Sequence, residues 1–344
     1  MHLTNLSQLL ARNEDLLKAK TPLLINMPDD DAAQLIKQQN PQSQVSYYDT
    51  NFELHLAHQA KPNHACIFAA QYQTDITHDL VIITFPKSKN ELLFTLSMLA
   101  DCTTEDTNIL LLGENKSGIK SIAKLIKDLC TYCNKVDAAR HCLMFEITLS
   151  NSQQAFNLDD WYNYYQVELG QTSFKVAALP GVFSQKGLDT GSKVLLEHLP
   201  NSITGSLLDF GCGAGVIATF IGLTHPQTEL TLADVNALAL TSSQKTLAIN
   251  GLTGKTIATN SLSHIQEKYQ FVISNPPFHQ GIKTHYLATE QFLAGVYQQL
   301  TPQGRLLIVA NSFLQYQPII EQAFGHVNTI VKKQGFSVYQ AKRQ

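Results

Sequence analysis

The chain has 344 residues, of which 44% are hydrophobic and 15% are charged, a composition that excludes a mostly disordered protein. At about 100–200 residues per domain, its length predicts two domains. The formal net charge of −3 argues against a general polyanion binder, but the halves differ: residues 1–170 carry 13 basic and 20 acidic residues, and residues 171–344 carry 12 and 8. We therefore expect a polyanionic partner to bind the second half.

We infer the cellular compartment, and the expectation of no metal site, from patterns that the sequence does not contain. No apolar run approaches the ~20 residues that cross a bilayer, and the N-terminus has no secretory signal pattern. We therefore expect a cytoplasmic protein that does not contact a membrane, with its six cysteines reduced. The only CxxC, Cys130 with Cys133, has no second pair and no His-x3-His nearby, so we expect no metal site.

The first half alternates strands and helices after a short amphipathic N-terminal helix. We predict strands at 22–27, 65–69, 80–85, 109–113 and 143–149, and helices at 30–37, 91–99 and 119–129. The polar, aromatic stretch 151–165, which contains the only tryptophan, is the predicted connector. The predicted domains are therefore residues 1–160 and 161–344.

The second half repeats this rhythm and ends in two strands. We predict strands at 206–210, 229–235, 255–260, 271–274 and 305–310, helices at 216–223, 236–250, 285–300 and 317–324, and paired strands over 327–342. Alternation of this kind predicts an α/β fold with a mostly parallel sheet, to which a terminal antiparallel pair is a common addition. We therefore predict two similar α/β domains in tandem.

A glycine-rich turn follows the first predicted strand of the second half. The segment LDFGCGAG, residues 208–215, places Gly211, Gly213 and Gly215 between a strand and a helix. Glycine allows a ligand to approach the backbone closely. The spacing does not fit a dinucleotide fingerprint, and Asp209 before the glycines suits a ligand that carries an ammonium group, as S-adenosylmethionine does.

Two further strand ends carry polar residues. Asp234 ends the next strand, where a carboxylate of a doubly wound fold accepts the hydroxyl hydrogens of a ribose. The segment VISNPPF ends another strand and supplies Asn275, Pro276, Pro277 and Phe278. Two prolines remove backbone donors, so this loop presents carbonyl acceptors to an exocyclic amine while Phe278 stacks on the ring that bears it.

These motifs together resemble a known family. LDFGCGAG and VISNPPF are similar to the motifs of class I S-adenosylmethionine-dependent methyltransferases that modify planar amino groups. PGVFSQKGLDTG at 180–191 and LGENKSG at 112–118 narrow the resemblance to the ribosomal RNA small subunit methyltransferase C (RsmC) family, over nearly the whole chain. The resemblance implies two Rossmann-like class I methyltransferase domains and methylation of the exocyclic N2 of guanine 1207 in 16S rRNA, on the assembled small subunit.

The resemblance also implies a distribution of roles. It assigns S-adenosylmethionine binding to residues Asp209, Gly211, Gly213, Gly215, Asp234, Asn260, Thr190 and Gly191. It assigns the target base to Asn275, Pro276, Pro277 and Phe278. The first half departs from this pattern: its first strand runs into a segment without a glycine loop, residues 26–30, and Phe85-Pro-Lys87 replaces Asn-Pro-Pro. We therefore expect a degenerate N-terminal domain that binds no cofactor and serves in folding and substrate docking.

Other functions remain open at this point. An adenine-N6 or protein-glutamine methyltransferase would use a similar Asn-Pro-Pro-aromatic tetrad, and a non-catalytic RNA-binding assembly protein could keep the fold. We expect a monomer whose partner is 16S rRNA in the small ribosomal subunit.

Overall fold

The structure is a computed structural model that describes residues 1–150, 155–276 and 283–344, with the backbone alone for residues 283–288. Within the described residues the chain divides into two units, Met1–Trp161 and Tyr162–Gln344. No helix in these ranges combines the length and the apolar character needed to cross a bilayer.

The first unit contains a seven-stranded sheet in the order β3-β2-β1-β4-β5-β7-β6. Pairs that include β7 are antiparallel and the others are parallel. The strands are β1 (Pro22–Ile25), β2 (Ser46–Asp49), β3 (Ala65–Phe68), β4 (Leu80–Thr84), β5 (Asn108–Glu114), β6 (Cys130–Ala139) and β7 (Cys142–Leu149). The helices are α1 (Asn5–Ala11), α2 (Ala32–Gln39), α3 (Phe52–Gln59), α4 (Lys89–Leu99) and α5 (Ile122–Leu125), with 3₁₀ turns at Glu14–Leu17, Ile119–Ser121 and Leu158–Trp161.

Side chains of the central strands of the first sheet are buried on both faces. Leu23 and Ile25 of β1 belong to one apolar cluster, and Leu24 between them belongs to another. Successive residues of a strand point to opposite faces, so a sheet covered on both sides needs continuous apolar strands. This requirement explains why the short apolar runs of the sequence are recognisable as strands.

The second unit has a sheet with the same topology, in the order β12-β11-β10-β13-β14-β16-β15, and a separate hairpin. The strands are β8 (Asn163–Leu169), β9 (Thr172–Ala178), β10 (Gly205–Phe210), β11 (Thr228–Asp234), β12 (Lys255–Ala258), β13 (Tyr269–Ser274), β14 (Leu300–Asn311), β15 (Asn328–Lys333) and β16 (Phe336–Lys342). The helices are α6 (Thr190–Leu196), α7 (Val216–Thr224), α8 (Ala237–Ile249), α9 (Lys283–Gly295) and α10 (Tyr316–Phe324), with 3₁₀ turns at Leu262–His264 and Val296–Gln299. The prediction of two similar α/β domains, with a terminal antiparallel pair in the second, is confirmed, and the first unit has such a pair as well.

Some local predictions were incomplete or wrong. The predicted helix 119–129 is a 3₁₀ turn followed by the single turn α5, because the chain then enters β6 and pairs with β7. The strand β2 and the helix α3 were not predicted. The predicted connector 151–165 includes the start of β8, whose hairpin with β9 packs on α8 through Asn250, which donates its side-chain N–H to the Lys175 carbonyl at 2.7 Å.

Candidate active site

The polar residues of the second half converge at one edge of its sheet. Strand β10 lies between β11 and β13 and runs parallel to both. Phe210 at its end pairs with Ala233 and with Ser274, so the residues that follow all three strands lie side by side. The carboxyl edge of such a sheet, between neighbouring loops, is where open α/β folds bind ligands.

The three glycines of the turn have different roles. All three adopt left-handed backbone angles, with φ of 75° at Gly211, 51° at Gly213 and 76° at Gly215. A Cβ atom at Gly211 or Gly213 would meet no atom of the described residues within 4 Å, whereas at Gly215 it would lie 2.9 Å from the Ser243 Cβ. Gly215 therefore allows close packing of α7 against α8, and the other two leave open space beside the loop.

Asp234 holds the glycine loop in place. Its Oδ2 accepts the Gly213 backbone N–H at 3.0 Å, and its Oδ1 accepts the Asn236 N–H at 2.9 Å. Burial raises the pKa of this carboxyl, and hydrogen bonds from the Asn236, Gly213 and Val235 backbone lower it. The side chain is thus fixed at the end of β11, one strand away from the loop that it supports.

Asp209 is fully buried at the base of the loop. Its Oδ2 accepts the Ala218 N–H of α7 at 3.1 Å, while its Oδ1 has no hydrogen-bond partner within the described residues. Burial raises the pKa of Asp209 to about 7, with the Ala218 hydrogen bond lowering it and Asp234 raising it. A buried carboxylate oxygen without a partner is costly, so the structure leaves an acceptor suited to a cationic group.

Asn260 follows β12 and lies beside the Asp234 backbone. The preceding residue, Thr259, donates its N–H to the Asp234 carbonyl at 3.0 Å. The Asn260 Oδ1 atom is buried, and no partner for it exists in the part of the chain that the structure describes. The position assigned to the adenine by family resemblance therefore contains an unsatisfied acceptor.

Asn275 lies immediately after β13 and makes contacts that the sequence did not indicate. Its Nδ2 donates to Asp189 Oδ1 at 3.0 Å and to Ser192 Oγ at 2.9 Å. Pro276 is buried, and Pro277 and Phe278 lie outside the described residues. Asp189 also caps α6 by accepting the Ser192 N–H at 3.0 Å. The Asp-x-x-Ser spacing signals a helix start, but not this contact with Asn275.

Thr190 and Gly191, which were predicted to cover the cofactor, form the first turn of α6. A Cβ atom at Gly191 would lie 3.0 Å from the Phe336 ring of β16. The absence of a side chain at Gly191 therefore lets α6 approach the sheet closely and fixes where Asp189 and Ser192 stand.

Within the described residues, no group of three or more His, Cys, Asp or Glu side chains is arranged to hold a metal ion. Cys130 and Cys133 lie on β6 and pack against the core of the first unit. Burial raises the pKa of Cys130 to about 12.

Similarity to known proteins identifies the family. Residues 7–165 match the Methyltransferase small domain N-terminal family, and residues 173–340 match the Methyltransferase small domain family. Ribosomal RNA small subunit methyltransferase C of Colwellia psychrerythraea is 49% identical, over 99% of this chain and 98% of that protein. The protein of the same name from Pseudoalteromonas translucida is 40% identical, over 98% of each. The chain belongs to the ribosomal RNA small subunit methyltransferase C family.

The fold of the family is shared over the whole chain. The structure of the T. thermophilus 16S rRNA N2 G1207 methyltransferase (RsmC), in complex with AdoMet and guanosine, matches this chain with a TM-score of 0.81 at 22% identity, over 96% of this chain and 91% of that one. The resemblance noted from the sequence motifs and the tandem methyltransferase fold are therefore both confirmed.

Proposed function

We propose that this protein is a methyltransferase that uses S-adenosylmethionine to methylate the exocyclic N2 of guanine 1207 in 16S rRNA. Family membership supports the activity, because the relatives are named as small subunit rRNA methyltransferases. The T. thermophilus protein of the same fold is named for N2 of G1207. The assignment to N2 of guanine 1207, as distinct from another position in 16S rRNA, depends on that relative.

The observation that carries the proposal is the position of Asn275 next to the glycine loop. Ser274 pairs with Phe210 in the sheet and donates its Oγ–H to the Phe210 carbonyl at 2.7 Å. Asn275 and Gly211, the next residues of the two strands, are consequently neighbours. An acceptor for an amine thus lies beside a loop that admits a ligand, which is the arrangement that methyl transfer between two bound molecules needs.

The site fits S-adenosylmethionine on three points. Open space adjoins Gly211 and Gly213, which allows close approach to the loop. Asp209 and Asn260 each have a buried side-chain oxygen without a partner in the described ranges. We propose that Asp209 faces the ammonium group, that Asp234 accepts the ribose hydroxyls, and that Asn260 binds near the adenine.

Bound S-adenosylmethionine supplies a methyl group that is already activated by its sulfonium. The amine of guanine is a weak nucleophile because its lone pair is delocalised into the ring. We propose that the Asn275 side-chain carbonyl and the Pro276 backbone carbonyl accept its two N–H hydrogens and favour a pyramidal nitrogen. Preorganised dipoles stabilise charge that develops in a transition state, each by roughly 3–4 kcal/mol. The proton can leave after transfer, so no general base is needed beforehand.

A covalent cysteine intermediate does not suit this site. Cys212 is the cysteine of the loop, and it is buried. Burial and the nearby Asp234 and Asp209 raise the pKa of its thiol well above the ordinary value, which removes the thiolate that such a route requires. Direct transfer to the amine is therefore the mechanism that we propose.

The first unit and the partners form the remaining part of the proposal. We propose that residues 1–160 bind no cofactor and assist folding and substrate docking, and that residues 161–344 carry the reaction. The acceptor is 16S rRNA; we propose that it is methylated within the assembled small subunit in the cytoplasm, by a monomer of this protein. The positive charge balance of residues 171–344 supports RNA binding by the second half.

A methyl-transfer assay tests the function. The full chain is incubated with radiolabelled S-adenosylmethionine and, separately, with small subunits that lack the modification, free 16S rRNA and a peptide release factor. We expect label in the subunits, at a guanine N2 once the nucleosides are separated. Label in adenine or in the release factor would support the alternative methyltransferases, and no label with retained RNA binding would support an assembly protein.

A further inference from the structure

Asn275 must present a carbonyl oxygen, and not an N–H, to an amine that is to be methylated. An asparagine side chain has an oxygen and an NH₂ group of nearly equal size, and the two exchange places when the amide rotates by half a turn. With the NH₂ group toward the substrate, donor would face donor. The chain therefore needs a device that fixes the orientation of this amide.

We propose that Asp189 and Ser192 are positioning residues that hold the Asn275 amide with its carbonyl oxygen toward the target amine. This inference rests on the proposed function. Both contacts are made by Nδ2, which donates to Asp189 Oδ1 at 3.0 Å and to Ser192 Oγ at 2.9 Å. An amide nitrogen carries two hydrogens, so both are already donated to α6 and its cap.

The charge on Asp189 favours one of the two orientations of the Asn275 amide, the one with Nδ2 toward Asp189. An ionised carboxylate can only accept hydrogen bonds, so a rotated Asn275 would place its carbonyl oxygen about 3 Å from another acceptor. That arrangement exchanges a charge-assisted hydrogen bond for repulsion between two oxygens. Ser192 adds a second acceptor on the same side. Because the two acceptors point at one nitrogen, they also fix the rotation of the side chain.

The positioning group is itself held rigidly. Asp189 Oδ1 accepts the Ser192 backbone N–H at 3.0 Å as the cap of α6, and Gly191 between them packs closely against the Phe336 ring. Asp189 lies 86 residues before Asn275 in the chain. The amide is thus oriented by a separate element whose position is fixed by its packing on the sheet.

The expected consequence is selectivity for an amine over a carbonyl group on the substrate base. A fixed acceptor attracts the N–H groups of an exocyclic amine and repels a ring carbonyl. Loss of the fixed orientation should lower the rate of transfer and leave cofactor binding unchanged, since the proposed cofactor contacts are made by other residues.

The experiment compares three variants of the full chain on small subunits that lack the modification. Ser192→Ala removes one acceptor, and we expect kcat to fall about three- to tenfold. Asp189→Asn keeps an oxygen that can cap α6 but removes the charge that disfavours the rotated Asn275 amide, and we expect a fall of about ten- to a hundredfold. In both variants, KM for the subunit and calorimetric affinity for S-adenosylmethionine should stay within about twofold. Ser202→Ala, at an exposed serine in the loop after α6, is the matched control with unchanged kcat.

An exchange of the two polar groups separates positioning from a structural role. Asn275→Asp alone places two carboxylates against each other and should lower kcat at least a hundredfold. Combining it with Asp189→Asn restores one donor and one acceptor with reversed identity. The new amide at position 189 turns its NH₂ group toward residue 275 and keeps its oxygen for the Ser192 N–H, and one oxygen of the new carboxylate still faces the amine. We expect the pair to recover at least tenfold in kcat over Asn275→Asp.

Two results would overturn this inference alone: wild-type kcat in both Ser192→Ala and Asp189→Asn, or no recovery in the exchanged pair while cofactor affinity is normal. If the wild-type chain itself transfers no methyl group to guanine, the proposed function fails, and this inference fails with it.

Discussion

The two units share a strand order, but the aspartate at the end of the second strand has different hydrogen-bond partners in each. Asp49 ends β2 in the first unit, and Asp234 ends β11 in the second. Asp49 Oδ2 lies 2.8 Å from His58 Nδ1, and both side chains are fully buried. Asp234 instead supports the glycine loop through the Gly213 N–H. In the first unit this carboxylate contacts a buried histidine, and in the second it accepts a backbone N–H of the glycine loop at the carboxyl edge of the sheet.

The strand registers extend this comparison to the other site positions. With Asp49 matched to Asp234, the pairings of the central strands match Leu24 to Asp209, Asn26 to Gly211 and Thr84 to Asn275. The sequence comparison had set Phe85 against Asn275, and the register corrects it by one residue. None of the three first-unit residues repeats the chemistry of its counterpart.

The comparison teaches that the fold and the chemistry depend on different residues. The alternating apolar residues that bury both sheet faces are present in both units, so both keep the same topology. The chemistry depends on a few residues at the carboxyl edge, which can change without loss of the core. This supports our proposal that the first unit binds no cofactor.

The largest effect is expected from His58→Ala. His58→Ala removes a fully buried ring and leaves the buried Asp49 Oδ2 without its 2.8 Å partner, so the free energy of unfolding of the first unit should fall by about 3–5 kcal/mol. Trp161, whose ring contacts Phe94 at 5.4 Å between centroids, is the only tryptophan and reports this transition by fluorescence in denaturant. Gln59→Ala, the exposed neighbour, is the control. Weaker cofactor binding in His58→Ala would contradict the division of roles between the units.

Asn275→Ala should lower turnover by roughly 10²–10³, the scale for loss of one preorganised polar partner. Affinity for S-adenosylmethionine should stay nearly unchanged, because we propose that this side chain faces the substrate amine. Thr84→Ala, at the matched position of the first unit, should keep wild-type turnover. Single-turnover methyl transfer and calorimetry measure the two quantities. A loss of cofactor affinity with normal transfer would mean that the tetrad is assigned to the wrong ligand.

Asp234→Ala should weaken S-adenosylmethionine binding by about 2–3 kcal/mol, because hydrogen bonds from the ribose to a charged acceptor are lost. Asp49→Asn in the first unit should leave this affinity unchanged, although it weakens the pair with His58. Isothermal titration of both variants against the wild type provides the comparison. Equal losses in the two variants would show that the first unit also contributes to the cofactor site.

The smallest expected effect is a pH dependence due to Asp209, whose pKa burial raises to about 7. Below that pH the carboxyl is protonated and must release a proton to bind a cation. Cofactor affinity should therefore fall by up to about tenfold per pH unit below 7, and Asp209→Asn should lose this part of the slope. Because the folded pKa lies above the ordinary value, the second unit should also become less stable as pH rises from about 4 to 7. Titration calorimetry between about pH 5.5 and 8.5 measures the cofactor affinity of the wild type and of Asp209→Asn. If affinity changes equally with pH in the two proteins, Asp209 does not face the ammonium group.

Local sequence patterns were sufficient to predict elements that are defined by a contiguous run of residues. The apolar run at β4 and the strand–glycine–helix pattern around Gly211 are contiguous, so their elements were predicted to within a few residues. β2 has only four residues and polar ends, so it gave no comparable signal. The hairpin of β8 and β9 was not predicted because its stability depends on contacts with α8, far away in sequence.

The sequence by itself determined the α/β alternation, the glycine loop, and the candidates Asp209, Asp234 and Asn275, because each follows directly from a strand that its own apolar residues define. Only the tertiary structure decided which glycines have no described atom beside them, that His58 contacts Asp49 in the first unit, and that Asp189 and Ser192 accept hydrogen bonds from Asn275. Those contacts join residues on different elements, and their distances are set by how helices pack on the sheet, which no local spacing encodes.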